Sequence, residues 1–218
     1  MKPFAIKDCA LLVRMSGLPP AYNLRDLRER IAVCADDVLY HHFCETPLRP
    51  TFDNPDYRND FAVWTRKCLG DRMLAERLGI VDPYAFESTA QLRAATLDLI
   101  EERLAELTPW VPTVRPGREF FFLEATTVVF DTGEQIPHPL AMPHAIRKMN
   151  DGSVFFHFLE SRRRHPVGVD DFSAWLQETG DEFHPYIEAI GAIDFYFLTL
   201  KQLRAEIHRV LTEIEVMR

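Results

Sequence analysis

The sequence predicts a mainly α-helical protein made of two similar lobes, with a short strand at the start of each. The first observation behind this is a repeat. His42-Phe43-Cys44-Glu45 returns as His157-Phe158-Leu159-Glu160, Asn59-Asp60-Phe61-Ala62-Val63-Trp64 as Asp170-Asp171-Phe172-Ser173-Ala174-Trp175, and Leu92-Arg93 as Leu203-Arg204. The order is kept, and the paired motifs lie about 110 to 115 residues apart. The second observation is apolar spacing of helical period in most segments. The third is an ordinary globular balance, 47% hydrophobic and 27% charged over 218 residues, enough chain to bury a core without disulfides or metal staples.

The strands come first. Phe120–Phe130 is rich in aromatic and β-branched residues and reads as a strand, while its counterpart Phe4–Val13 is ambiguous between strand and helix. A small sheet pairing the two is expected, and each run is read as ending at a glycine, Gly17 and Gly133. Asn23 is placed to cap a helix whose Leu24, Leu27 and Ile31 share a face. Leu140–Ile146 is a weaker version of it. The His-bearing segments, Asp37–Glu45 and Val154–Arg164, read as helices, the second capped by Ser153 after a break at Asp151-Gly152. A loop containing Pro47, Pro50 and Pro55 follows the first, a shorter loop the second.

Asp60 and Asp171 stand just before Phe-x-x-Trp helices, where an Asp is most often an N-cap. Asp71–Gly79 reads as a short helix closed by Gly79. Each copy ends in a long amphipathic helix, with Leu97, Ile100 and Leu104 on one face of the first and Leu203, Ile207, Val210, Leu211 and Ile214 on one face of the second. Three prolines and a glycine between Thr108 and Gly117 mark a connector. The expected organisation is therefore a first lobe over 1–107, a connector over 108–119 and a second lobe over 120–218.

Together the His-Phe-x-Glu, Asn-Asp-Phe-Ala-x-Trp and closing Leu-Arg motifs resemble an uncharacterised bacterial family known only as a domain of unknown function. The resemblance covers nearly the whole chain. The second copy departs from the stricter pattern at Asp170 and Ser173. The resemblance implies no activity.

The net charge of -8 argues against nucleic acid, whose binding rests on Lys and Arg at phosphates. No apolar stretch has the length of a membrane span, and the charged start does not read as a signal peptide. Four cysteines, all in the first half and without a C-x-x-C pair, fit reduced thiols in a cytoplasm.

His42 with Glu45, and His157 with Glu160, are three apart and share a helical face. Two such helices with Asp60 and Asp171 could in principle gather metal ligands. However, the order is reversed from the Glu-x-x-His of di-iron bundles, and no second matched Glu pair is evident. The expectation is a buried hydrogen-bond centre in each lobe, His to Glu, with no metal and no cofactor. Trp64 and Trp175 are read as core, their indole N–H groups donating to Glu45 or Glu160.

Arg93 and Arg204 are read as ion-paired to the Glu of the same lobe, the sharper alternative being an anion clamp. Arg49 and Arg164 correspond at the His-helix ends, where a cation suits the dipole. Arg162, Arg163 and Arg164, with His165, form the strongest anion-binding candidate. Cys44 near His41 is read as a small apolar filler rather than a nucleophile. The candidate polar site thus comprises His42, Glu45, Asp60, Arg93, His157, Glu160, Asp171 and Arg204.

Two functions remain open: a non-enzymatic cytoplasmic protein that binds a small anionic ligand or a protein partner, and a hydrolase-like enzyme using the His/Glu pairs at the lobe interface. Burial separates them, because saturated buried pairs cannot turn over substrate.

Overall fold

The structure is a computed structural model and describes residues 2–49, 57–164 and 168–217. Pro50, Pro55 and His165 of the expected loops and cluster lie outside the described residues. The described residues are mainly helical, with one two-stranded sheet, β1 (Phe4–Met15) against β2 (Leu123–Ile136). The ambiguous first segment is therefore a strand. Arg14 pairs with Glu124, and Thr132 donates to the Ile6 carbonyl, so the strands run antiparallel.

The chain divides into two compact units. Unit I is built from Leu12–Arg49 and Pro55–Thr126, unit II from Met1–Leu11 and Thr127–Arg218. This differs from the expected division at 1–107 and 120–218. The first eleven residues group with the helices of the second half, and Gly117–Thr126 with those of the first. Lobes assigned by sequence order miss this, because a strand belongs to whichever helices bury its apolar face.

In unit I, Asn23 caps α1 (Leu24–Val33) as expected, its side chain accepting from the Asp26 N–H, and Leu24, Leu27 and Ile31 are buried. The first His helix is α2 (Asp36–Cys44), and the Phe-x-x-Trp helix is α3 (Asp60–Trp64), which continues through a wider turn to Leu69. Asp71 caps α4 (Arg72–Gly79). The helix ends at Gly79, its last residue, as expected, although Ile80 is the C-cap and Gly79 is not left-handed. A Cβ there would lie 2.5 Å from the Tyr57 ring, so the glycine admits the aromatic. The long helix α5 (Thr89–Leu107) buries Leu92, Thr96 and Ile100, with Leu97 and Leu104 packed at the edge.

In unit II, α6 (Met142–Lys148) and α10 (Leu200–Met217) pack together, with Leu203, Ile207 and Leu211 of α10 buried. The second His segment is less regular than expected. It starts as α7 (Asp151–Val154), widens to a π-type turn over Phe155–Leu159, and tightens to 3₁₀ geometry over Glu160–Arg163. Ser153 is inside α7 rather than capping it. Gly152 does not break the helix. It lets β1 approach, since a Cβ there would lie 2.5 Å from the Cys9 carbonyl oxygen. Gly133 likewise does not end its strand, which runs on to Ile136. The remaining helices are α8 (Asp171–Thr179) and α9 (His184–Gly191), which pack on each other.

Candidate functional site

The His residues do form buried centres, but the carboxylate is Asp rather than the expected Glu. In unit I, His42 Nδ1 lies 2.7 Å from Asp60 Oδ2, and the Leu123 backbone N–H donates to His42 Nε2 at 3.0 Å. In unit II, His157 Nδ1 lies 2.7 Å from Asp171 Oδ2, and the Lys7 N–H donates to His157 Nε2 at 2.9 Å. An Nε2 that accepts carries no proton, so each ring is the Nδ1–H tautomer and donates to its Asp. Both rings are buried, at 1% and 3% exposure. Each has both nitrogens occupied, so neither offers a lone pair to a metal ion or a proton acceptor to a substrate.

Electrostatics agree with the geometry in unit I. Burial pushes the His42 imidazolium pKa below its ordinary value, against the opposing pull of Asp60. Burial alone would raise the Asp60 carboxyl, but the hydrogen bond from His42, with the charge and hydrogen bond of Arg49, holds it below the usual range. Arg49 reaches Asp60 Oδ1 at 2.5 Å, and Arg164 reaches Asp171 Oδ2 at 2.9 Å. The helix-end cations thus serve the Asp rather than the helix dipole alone.

Asp60 and Asp171 are not the caps. Asn59 and Asp170, one residue earlier, accept from the Ala62 and Ser173 N–H groups, which leaves the following Asp free for its His. The paired polar residues Asn59-Asp60 and Asp170-Asp171 were the available signal. The indole N–H groups do not reach a Glu either. Trp64 donates to the Arg118 carbonyl at 2.7 Å and Trp175 to the Lys2 carbonyl at 2.9 Å. The Phe120 ring centroid lies 4.8, 5.1 and 5.7 Å from those of His42, Phe61 and Trp64. Phe4 lies 4.8, 5.3 and 5.5 Å from His157, Phe172 and Trp175. Each centre is therefore a clamp on an extended segment, and sequence reasoning missed Phe4 and Phe120 as part of it.

The other expected site residues go elsewhere. Arg93 donates to the Ile31 carbonyl in the last turn of α1 at 2.5 Å, to Cys34 Sγ at 3.0 Å and to Asp36 at 2.6 Å. Arg204 donates to the Met149 carbonyl just past α6 at 2.5 Å and lies 3.4 Å from Asp151. These arginines satisfy carbonyls that a helix end leaves open, instead of pairing with Glu45 or Glu160. Burial raises the Cys34 thiol pKa despite Arg93, so it stays protonated. Glu45 pairs with His41 Nδ1 at 2.8 Å, both about fully buried, and His41 Nε2 has no partner. Glu160 is half-buried and has its own contact.

The basic run is engaged by the fold. Arg162 stacks over Phe158 and Phe195 at 4.5 and 5.0 Å and donates to the Phe158 carbonyl. Arg164 covers Phe156 at 4.4 Å besides holding Asp171, and Arg163 is also partnered. Among the described residues, no group of three or more His, Cys, Asp or Glu is arranged to hold a metal ion. No helix there is long and apolar enough to cross a membrane.

Fold and site define a mainly helical protein whose polar centres hold strands. The chain belongs to a family of unknown function, DUF5752, whose model matches residues 1–212. Among solved structures it is similar to OrfY from Thermoproteus tenax, with 27% identity, a TM-score of 0.80, and coverage of 99% of this chain and 96% of that one. No curated protein matches it.

Proposed function

We propose that this is a non-enzymatic cytoplasmic protein that works by binding a protein partner. One observation carries the reading: His42 and His157 each have both ring nitrogens committed within the fold, to an Asp and to a strand N–H. A general base or metal ligand needs one of them free. Arg162 and Arg164, with their stacking and carbonyl contacts, favour a protein partner over a small anion. So does apolar exposure: Trp110 is 85% exposed, and Leu12 and Met15 on β1 are 65% and 54% exposed. The free thiols Cys9, Cys34, Cys44 and Cys68 suit a reducing compartment.

The same reading includes a duplication with exchanged leading strands. Lys2, Phe4 and Lys7 in unit II make the contacts that Arg118, Phe120 and Leu123 make in unit I. Each repeat then lends its leading strand to the helices of the other.

The test is turnover. Untagged protein is assayed on panels of phosphate esters, glycosides and acyl esters, with and without divalent metal, beside His42→Phe and His157→Phe. The expected result is no turnover that depends on either His. Turnover lost in either variant reverses the reading in favour of the enzyme. A rise in melting temperature with sugar phosphates or nucleotides, lost on substituting Arg162, favours the anionic ligand instead.

A further inference from the structure

Surface arginines of unit I are mostly paired. Arg28, Arg72, Arg77 and Arg103 reach Glu101, Glu76, Glu106 and Asp71 in turn. Arg66, Lys67, Arg115 and Arg118 differ. All four are exposed, and among the described residues none of their side chains has a hydrogen bond or an ion pair. The backbone gathers them. Arg115-Pro116-Gly117-Arg118 is a tight turn, in which Gly117 has a φ of 83° and the Arg118 N–H donates to the Arg115 carbonyl at 3.0 Å. Proline second and a left-handed glycine third mark a type II turn, which keeps the two arginine Cα atoms within about 7 Å of each other. The Trp64 indole holds the Arg118 carbonyl at 2.7 Å, at the end of α3, and the wider turn that continues α3 carries Arg66 and Lys67. The Cys68 thiol in that turn feels the charge of both Arg118 and Lys67. Glu119, next in the chain, buries Oε2 without a partner and pairs with none of the four. Cations gathered in this way repel one another, in a chain whose net charge is -8.

We propose that this patch, Arg115 and Arg118 on the turn with Arg66 and Lys67 beside them, docks an acidic segment of a protein partner. The proposal rests on the protein-binding reading above and names the chemistry of the partner. Charge complementarity carries it, because a positive patch on an acidic chain steers and orients an acidic partner. A guanidinium fork matches a carboxylate through two parallel hydrogen bonds. The fixed turn presents two such forks side by side, so little is lost in ordering the backbone on binding. Phe121, three residues past Arg118, is 47% exposed. Arginine with an aromatic is the composition of a protein-interface anchor rather than of a site for a free anion. Nucleic acid fits less well. Its phosphates recur about every 3.4 Å along a strand and run past the patch onto a surface that is acidic in sum. A peptide can confine its Asp and Glu to the patch.

The test is fluorescence anisotropy on the full chain with three labelled probes: an octapeptide of alternating Asp and Glu, a matched Asn/Gln octapeptide, and an oligo-dT of similar charge. The acidic peptide is expected to bind saturably and the neutral one not at all. Arg115→Gln with Arg118→Gln is expected to weaken binding roughly tenfold or more, because charge-assisted bonds are lost. Arg147→Gln with Lys148→Gln removes two exposed cations of unit II and is expected to leave binding unchanged. No binding of the acidic peptide overturns the proposal, as does an unchanged Kd in the turn variant or an equal loss in the unit II variant. Equal binding of the neutral peptide also overturns it. Tighter binding of the oligo-dT does so too, and makes the patch a nucleic-acid surface. If the turn variant does not fold, Lys67→Gln takes its place, with a loss of about threefold expected and no loss sinking the idea. Failure here leaves the non-catalytic reading standing, because turnover decides that separately.

Discussion

Replacing His42 by Phe isolates the polar work of the clamp from its packing. The new ring fits among Phe61, Phe120 and Phe122, whose centroids lie 4.8 to 6.3 Å from the imidazole. What disappears is the pair of hydrogen bonds. The Leu123 N–H loses its acceptor, a cost of about 1–3 kcal/mol for a desolvated donor. Asp60 loses a charge-assisted bond but keeps Arg49, so that share is about 1 kcal/mol rather than the full penalty of an orphaned buried charge. The expected loss is roughly 2–4 kcal/mol in all. The assay is urea unfolding near neutral pH, followed by tryptophan fluorescence. Asp60→Asn and the double variant complete a cycle, with an expected coupling of about 1–3 kcal/mol. A loss for His42→Phe within about 0.5 kcal/mol, the range of ordinary surface substitutions, would refute the clamp. So would additive single effects.

Acid should act in two stages. The folded state keeps His42 neutral, so below its ordinary pKa of 6.5 the unfolded chain binds a proton the folded one does not, and stability falls with pH. Asp60, held below 3.8 in the fold, adds stability that is complete above that value and is lost as pH falls through its folded pKa. Urea midpoints against pH should show both falls, and His42→Phe should lack the upper one; a wild-type profile flat across the upper window contradicts this. Gly152→Ala should destabilise by about 1–3 kcal/mol despite the better helix propensity of Ala, because the Cys9 backbone must move; a raised melting temperature would show the approach is not tight. His41→Phe should cost about 2–4 kcal/mol by taking from buried Glu45 its 2.8 Å bond to His41 Nδ1; an unchanged urea midpoint would show that the remaining contact of Glu45 is enough to hold it.

The legible parts of this fold were the local ones. Asn23 announced α1 because a cap and an apolar stripe sit within one turn of each other, and α4 was legible as the short helix over Asp71–Gly79, though Asp71 proves to be its cap rather than its first residue. The long helices α5 and α10 followed from the same spacing. The His partners were illegible for a geometric reason. Helical arithmetic sees only neighbours three or four apart, and it therefore proposed Glu45 and Glu160, whereas His42 reaches Asp60, 18 residues on, and His157 reaches Asp171, 14 residues on. The cap misassignment came from adjacency. Either of two successive polar residues can cap a helix, and only the backbone decides which is spare for another task. Strand ownership had no sequence signal, because Phe4 and Phe120 stand at the head of similar apolar runs and each meets a cage far away in sequence.

What the two units share and what they do not share separates structure from function. The shared set is indole to carbonyl, Phe in a cage, imidazole to strand N–H and Asp, and guanidinium to Asp. Every member fastens a strand or orients the group that does. Such a set is needed wherever the strand is needed and carries no information about a partner beyond the strand itself. The unshared set lies outside it: His41 with Glu45 where unit II has Phe156 and Glu160, Cys34 under Arg93, and Arg162 between Phe158 and Phe195. Buried polar pairs of the first kind cost desolvation and are not required by the fold, since Phe156 fills the corresponding place without one.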